Sequence, residues 1–227
     1  MIGKCNHTPI LHKRVYLALV MFIDISRPIH SDMAIYPGNP SVHIDVVREA
    51  SSAVSALSTI SLGSHTGTHI DTLLHVDPSG TGAEAYNLSQ LVGTADLVVV
   101  DTALSSISAH DIPVTTATRV LLKTKNSNTD IDMFDPEFAA LTEDGAEELI
   151  RRGVVLVGID GPSIKKKGVS DKVHELFLKN NIVVVEGLWL KEAVSGTYHL
   201  MCLPLPIFHT DGVPVRAVLD SLEKIDY

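Results

Sequence analysis

Three histidines and two aspartates crowd into thirteen residues, His65 to Asp77, in the run HTGTHIDTLLHVD. Imidazole and carboxylate groups at this density can hold a divalent cation, move a proton, or do both. Their spacing decides which of them meet. Thr66, Gly67 and Thr68 disfavour a helix. The segment therefore reads as extended backbone with a turn at Gly67, following the strand-like STISL at 58–62. On extended backbone, residues two apart share a face, so His69 and Asp71 point the same way. The turn at Gly67 can swing His65 round to join them. Two imidazoles and a carboxylate suit Zn²⁺ or Mn²⁺ and leave coordination positions for water. His75, four residues beyond Asp71, is either a fourth ligand or a proton-transfer group beside the metal. Asp77 opens DPSG and reads as a turn residue.

Such a cluster needs a frame. Short apolar, β-branched runs recur along the chain: YLALVMFI, VHIDVV, STISL, DLVVVD, RVLLKT, GVVLVGID, NIVVVEGL and YHLMCLPLPI. Several are continuous rather than alternating, which predicts strands buried on both faces. Two helices are legible between them. LTEDGAEELIRRG has Thr142 as N-cap, acidic residues in its first turn and Gly153 after a basic last turn. SDKVHELFLKNN has Ser170 as cap, with Val173, Leu176 and Phe177 at helical spacing. Strands and helices alternate in the second half, and the class is α/β.

The chain has 227 residues, 45% of them hydrophobic, enough for a sizeable core. No repeat or long linker divides it, so residues 21–227 read as one domain after an N-terminal extension, 1–20. Within that extension, Lys4, Lys13 and Arg14 precede the apolar VYLALVMFI. No small-x-small cleavage site follows, so this run is expected to be a first buried strand rather than a secretory signal. It is also too short to span a bilayer. A net charge of −9 argues against nucleic-acid binding, which needs clustered Lys and Arg. The one basic run, Lys165 to Lys167, reads as a solvated loop. Cys5 and Cys202 make no disulfide framework.

With these residues in view, HTGTHIDTLLH resembles the H-x-G-T-H-x-D-x-P-x-H motif of the cyclase-like metal-dependent hydrolases, a family that includes bacterial kynurenine formamidases and isatin hydrolases. The likeness extends to IDISRPI, YPGNP and CLPLPIFHTDGVPVRAVL, and to a downstream His and Glu twelve residues apart, here His174 and Glu186. Leu73 departs from the pattern where the family has proline, which loosens the backbone between Asp71 and His75 and bears on substrate class more than on metal binding. The resemblance implies a swivelling β/β/α fold with a central mixed sheet. It implies that His65, His69 and Asp71 hold one metal and that Asp71 bridges to a second, held also by His174 and Glu186. Zn²⁺, one or two per chain, is the implied cofactor, with Mn²⁺ as the other choice. With a single metal, His174 and Glu186 would position ligands or substrate instead. His75 is implied as general acid/base for a metal-bound hydroxide.

The activity implied is hydrolysis of an aryl formamide such as N-formyl-L-kynurenine to kynurenine and formate. The alternative is another amide, a lactam of the isatin kind, or a lactone, opened by the same site. A metal-binding module without turnover would need the ligands but not His75. A serine hydrolase would need a G-x-S-x-G elbow, which GVVLVGIDGPS lacks. Tyr36, Asp160 and His209 are the candidate substrate-binding residues. Asp160 is also readable as an Asx turn, and His209 as a surface position. Phe22, Trp189 and Phe208 could add aromatic lining. The expected partners are a small amide or lactam and further copies of the chain, as homodimer or homotetramer with Tyr36 near a subunit boundary. No nucleic acid and no membrane are expected, and the location expected is cytoplasmic.

Overall fold

Consecutive apolar residues on a strand must bury both of its faces, and the central sheet does so by closing on itself. The computed structural model describes residues 22–221. Twelve strands are formed: β1 (Phe22–Asp24), β2 (His43–Arg48), β3 (Leu57–Ser61), β4 (His69–Asp71), β5 (Val92–Val99), β6 (Ser106–Ile107), β7 (Arg119–Lys123), β8 (Ala140–Leu141), β9 (Leu156–Ile159), β10 (Val183–Glu186), β11 (Gly196–Pro204) and β12 (Gly212–Ser221). The helices are α1 (Leu88–Leu91), α2 (Glu143–Arg151) and α3 (Lys172–Lys179). The main sheet runs β1-β12-β11-β5-β7-β9-β10-β4, and a further β12–β4 pairing closes seven of its strands into a barrel. β5, β7, β9 and β10 are mutually parallel; the remaining pairings are antiparallel. This is the expected α/β class with a central mixed sheet.

Alternation along the strands sorts two cores. Leu121, Leu156, Val183 and Val185 point into the barrel with Ile70, Leu97, Leu200 and Val213. Their neighbours Val120, Leu122, Val157, Ile159 and Val184 point outward, where Leu149 of α2 and Val173 and Phe177 of α3 cover them. Helices on the outer face are what parallel strands require, since each crossover must pass over the sheet. Thr142 stands at the N-cap position of α2 as expected, although its hydroxyl donates to the Ile107 carbonyl and caps no helix N–H, and Gly153 lies beyond the helix end at φ +75°. In α3 the cap is Asp171, one residue later than expected.

Two strand expectations need correction. VHIDVV and STISL form strands, but not buried ones: among the described residues β2 and β3 pair only with each other, as an exposed ribbon. Ile44 faces Ile60 across it, with Val46 on the same side. Of the N-terminal apolar run, Phe22 and Ile23 lie in β1; residues 15–21, and the extension 1–20 with Cys5, fall outside the described residues. Among the described residues no helix is long and apolar enough to cross a membrane.

Candidate metal centre

Barrel alternation decides where the histidine run points. Ile70 of β4 faces the interior, so His69 and Asp71 face outward. β10 lies antiparallel beside β4 and sets Glu186 opposite His69 and Val184 opposite Asp71, on that same face. α3 packs over it and contributes His174. The turn at Gly67 adopts φ +64° and brings His65 back towards Asp71, as its position in the sequence suggested. His65 has room because Gly212 lies against its ring, where a Cβ would stand 2.7 Å from Cε1. His75 ends a short 3₁₀ turn, Leu73–His75, with its ring centroid 4.5 Å from that of His65 and 4.9 Å from that of His174.

Asp71 is the centre of the arrangement and is completely buried. Its Oδ1 lies 2.9 Å from His65 Nδ1 and 3.6 Å from His69 Nε2, and its Oδ2 lies 3.5 Å from His174 Nε2. Neither oxygen has a partner in hydrogen-bond geometry, and neither has His69 Nε2. A buried carboxylate left so would cost several kcal/mol. The donors instead converge on shared points: His65, His69 and Asp71 form one group, and Asp71, His75 and His174 another, each with ligand atoms within 4.8 Å of one another. His69 Nδ1 donates to the Gly67 carbonyl at 3.0 Å. That fixes the tautomer and leaves the Nε2 lone pair free, as a metal ligand requires. The donor set fits a divalent cation.

Glu186 is oriented by its surroundings. Its Oε1 accepts from Ile164 N at 2.6 Å, Ser163 Oγ at 3.2 Å and His174 Nε2 at 2.9 Å, and its Oε2 lies 3.4 Å from His69 Nε2. Burial opposes its charge, yet His174 and His69 hold its pKa well below the ordinary value. Burial likewise opposes charge on His65, but Asp71, Glu186 and Asp211 raise it to about 9. The pocket therefore holds excess negative charge that attracts a proton when nothing else is bound. His75 goes the other way, lowered chiefly by burial and further by His174 and His65, so it is neutral and able to accept a proton near pH 7.

A cavity of about 190 Å³ opens over these groups, lined by Tyr36, Asn39, Ser163, Lys165 and Asp171 besides His65, His75, His174 and Glu186. Tyr36 thus reaches the site. Asp160 does not line it: it is fully buried, its carboxylate accepting five hydrogen bonds from Thr124, Asn126 and Ser127. Those donors sit beyond β7, so the carboxylate ties two strand ends together instead of making an Asx turn. His209 is 84% exposed, at φ +59°, 3.5 Å from Glu84, and stays out of the cavity. Phe22 and Phe208 are exposed as well. The basic run forms a loop, but only Lys167 is exposed, and it too lies over a ring, that of Phe134; Lys165 lines the cavity and pairs with Asp171 at 2.8 Å, and Lys166 folds onto Phe138. Sequence reading also missed Asp211, which accepts from His65 Nε2 at 3.0 Å. A carboxylate behind a ligating imidazole orients the ring and raises its basicity. Nothing in the sequence marks it, because 146 residues separate the pair.

A mixed barrel carrying a buried imidazole–carboxylate cluster on its outer face defines the class: the fold of the cyclase-like metal-dependent hydrolases. The Cyclase family model matches residues 23–166, and the chain belongs to that family. The chain is 35% identical over 204 residues to a kynurenine formamidase from Salinibacter ruber, covering 87% of this chain and 96% of that protein. It superposes on a solved structure described as a potential metal-dependent hydrolase with cyclase activity, with TM-score 0.79 and 30% identity, covering 90% of this chain and all of the other. An isatin hydrolase bound to thioisatinate shares the fold at TM-score 0.74 and 20% identity, covering 89% of this chain and 92% of that one.

Proposed function

We propose that the chain is a metal-dependent amidohydrolase that cleaves an aryl formamide, N-formyl-L-kynurenine first among candidates, to the aryl amine and formate. The observation that carries this reading is Asp71: a wholly buried carboxylate, without a hydrogen-bond partner, faced by three imidazoles. The likeness to kynurenine formamidases over most of both chains supports the choice of substrate. His65, His69 and Asp71 would hold one cation. Asp71, His174 and Glu186 would hold a second where two bind, with Zn²⁺ as the expected metal and Mn²⁺ as the other choice.

A bound cation supplies Lewis acidity towards the formyl carbonyl and lowers the pKa of water at the site. This chain's residues do the rest. Asp211 and the Gly67 carbonyl fix the rings of His65 and His69. Ser163 and Ile164 N–H fix Glu186. His75, neutral and open to the cavity, takes the proton from the attacking water and returns it to the aryl nitrogen as the C–N bond breaks. The products are formate and the free amine. Tyr36 and Asn39 help to wall the cavity.

The chain would act as a homodimer or homotetramer. In support, the apolar face of the β2–β3 ribbon continues past Ile44 and Ile60 to Leu205 and Ile207, around a groove of about 720 Å³. The functional test is protein purified without added metal, its bound metals measured by elemental mass spectrometry and N-formyl-L-kynurenine hydrolysis followed in the same preparation. One or two zinc per chain with turnover abolished by a chelator is the expected result. Bound metal without turnover would redirect the search to lactams, lactones and other amides. No metal, and none taken up on titration, would overturn the reading.

A further inference from the structure

Arg27 is half-buried, and its guanidinium has too few partners. Its Nη2 donates to the Asp160 carbonyl oxygen at 3.3 Å, and its Nε is enclosed with no partner at all. A guanidinium carries five N–H donors. No carboxylate pairs with it among the described residues: Asp160 spends its side chain on Thr124, Asn126 and Ser127, and Asp132 is held by His30 at 3.0 Å. The guanidinium lies over Trp189, 5.9 Å from its ring centroid. Stacking steadies the plane without satisfying the N–H groups. Burial depresses its pKa against the pull of Asp160 and Asp132. A counter-ion arriving there would stabilise the charge.

The place where one could arrive is defined. Arg27 lines a small cavity of about 40 Å³ that shares Tyr36 and Pro162 with the cavity over the metal centre. A cavity needs about 10–15 Å³ to hold one water molecule, so this space admits a group of a few heavy atoms. Asp135 lines the same small cavity, and Phe134 and Phe138 supply its apolar wall. One cation, one anion and an aromatic wall, adjoining the larger cavity at Tyr36 and Pro162, form a two-pole site.

We propose that the cavity between Arg27 and Asp135 is a subsite for the α-amino-acid end of the substrate, Arg27 pairing with the carboxylate and Asp135 with the ammonium. A planar guanidinium recognises a carboxylate through two parallel hydrogen bonds, which lysine cannot reproduce. The larger cavity is left for the aryl formamide. This inference rests on the proposed formamidase reading and extends it: the enzyme selects formamides that carry an amino-acid tail.

The test compares N-formyl-L-kynurenine with N-(2-acetylphenyl)formamide, which keeps the aryl ketone and formamide and lacks the tail. Both are followed with metal-loaded wild type, Arg27→Gln, Arg27→Lys and Asp135→Asn. Arg27→Gln should lower kcat/KM for the tailed substrate by about 10- to 100-fold, the weight of a hydrogen bond to a charged group, mostly through KM. The tailless substrate should be nearly unaffected. Arg27→Lys should recover part of the loss, and Asp135→Asn should show a smaller loss of the same selectivity. An equal fall on both substrates would mean a structural role, and no change would mean no role; either overturns the proposal. Hydrolysis of neither substrate by wild type would refute the formamidase reading alone. The subsite is then decided by calorimetric binding of kynurenine against 2-aminoacetophenone. A preference for kynurenine that Arg27→Gln abolishes supports it, and equal binding overturns it.

Discussion

Replacing Asp71 with asparagine keeps its shape and removes its charge, and the consequences can be worked out from its surroundings. The backbone is held on both sides by β10 and β12, and the Asp71 carbonyl accepts from Tyr86 Oη at 2.7 Å. The substitution should therefore leave the strand in place. In wild type without metal, the buried charge is compensated only by protonating imidazoles such as His65. With metal, linkage adds stability: a ligand at 100 times its dissociation constant contributes about 2.7 kcal/mol. For a chain of 150–250 residues, 1 kcal/mol moves Tm by about 2–4 °C. Wild type should thus melt about 5–11 °C higher at that zinc excess than after stripping. Asp71→Asn should lose most of this shift, because it neutralises the one carboxylate common to both ligand groups, which also faces three imidazoles. Its stripped form should melt no lower than stripped wild type, since the uncompensated charge is gone. Scanning calorimetry across a zinc series reads all three quantities. A wild-type zinc shift in Asp71→Asn would refute the assignment of Asp71 as the shared ligand.

Three further outcomes are expected. His75→Ala should retain its metal and lose about 10²–10⁴-fold in kcat; metal loss equal to that of Asp71→Asn would make His75 a ligand, which its convergence with Asp71 and His174 makes a real contest. Gly187→Ala should destabilise the site, because Gly187 sits at φ +66° with its missing Cβ only 2.3 Å from the Gly67 oxygen. The backbone conformation alone costs about 1–3 kcal/mol, and an unchanged Tm would refute the close approach. Glu148 is held at about 2 by hydrogen bonds from Arg151 and Arg152, below its ordinary 4.5. A folded-state value below the unfolded one gives stability that is present above 4.5 and lost as pH falls towards 2. The denaturant midpoint of Glu148→Gln should therefore lie below wild type at pH 7, and the gap should close over that window; a gap independent of pH would refute the ion pair as its source.

Glu186 and Asp160 show what the sequence could say about this site and where it fell short. Each follows an apolar run, VVVE and VGID, at the end of neighbouring parallel strands. The spacing of Glu186 from His174 singled it out, but only because a resemblance supplied the spacing. The physical distinction is phase. Val185 pairs with Gly158 across β10 and β9, so Glu186 continues on the outward face that Val157, Ile159 and Val184 share, under α3 and beside β4. Asp160 falls one step later in the alternation and turns to the donors after β7. The local signals were readable: continuous apolar runs for β7, β9 and β10, the helix start at Thr142, that of α3 to within one residue of Ser170, and the turn at Gly67. So was the common face of His69 and Asp71, since period-two geometry is a property of the segment itself. The barrel closure was not, because the β12–β4 pairing joins residues about 140 apart and rests on register rather than composition. What depends on closure was hidden with it: Asp211 behind His65, Lys165 in the cavity, and Arg27 without a counter-ion. The exposure of the β2–β3 ribbon was hidden for the opposite reason. Its residues have the composition of a core strand, and whether they find a core depends on what lies beside them; among the described residues, each strand of the ribbon pairs only with the other.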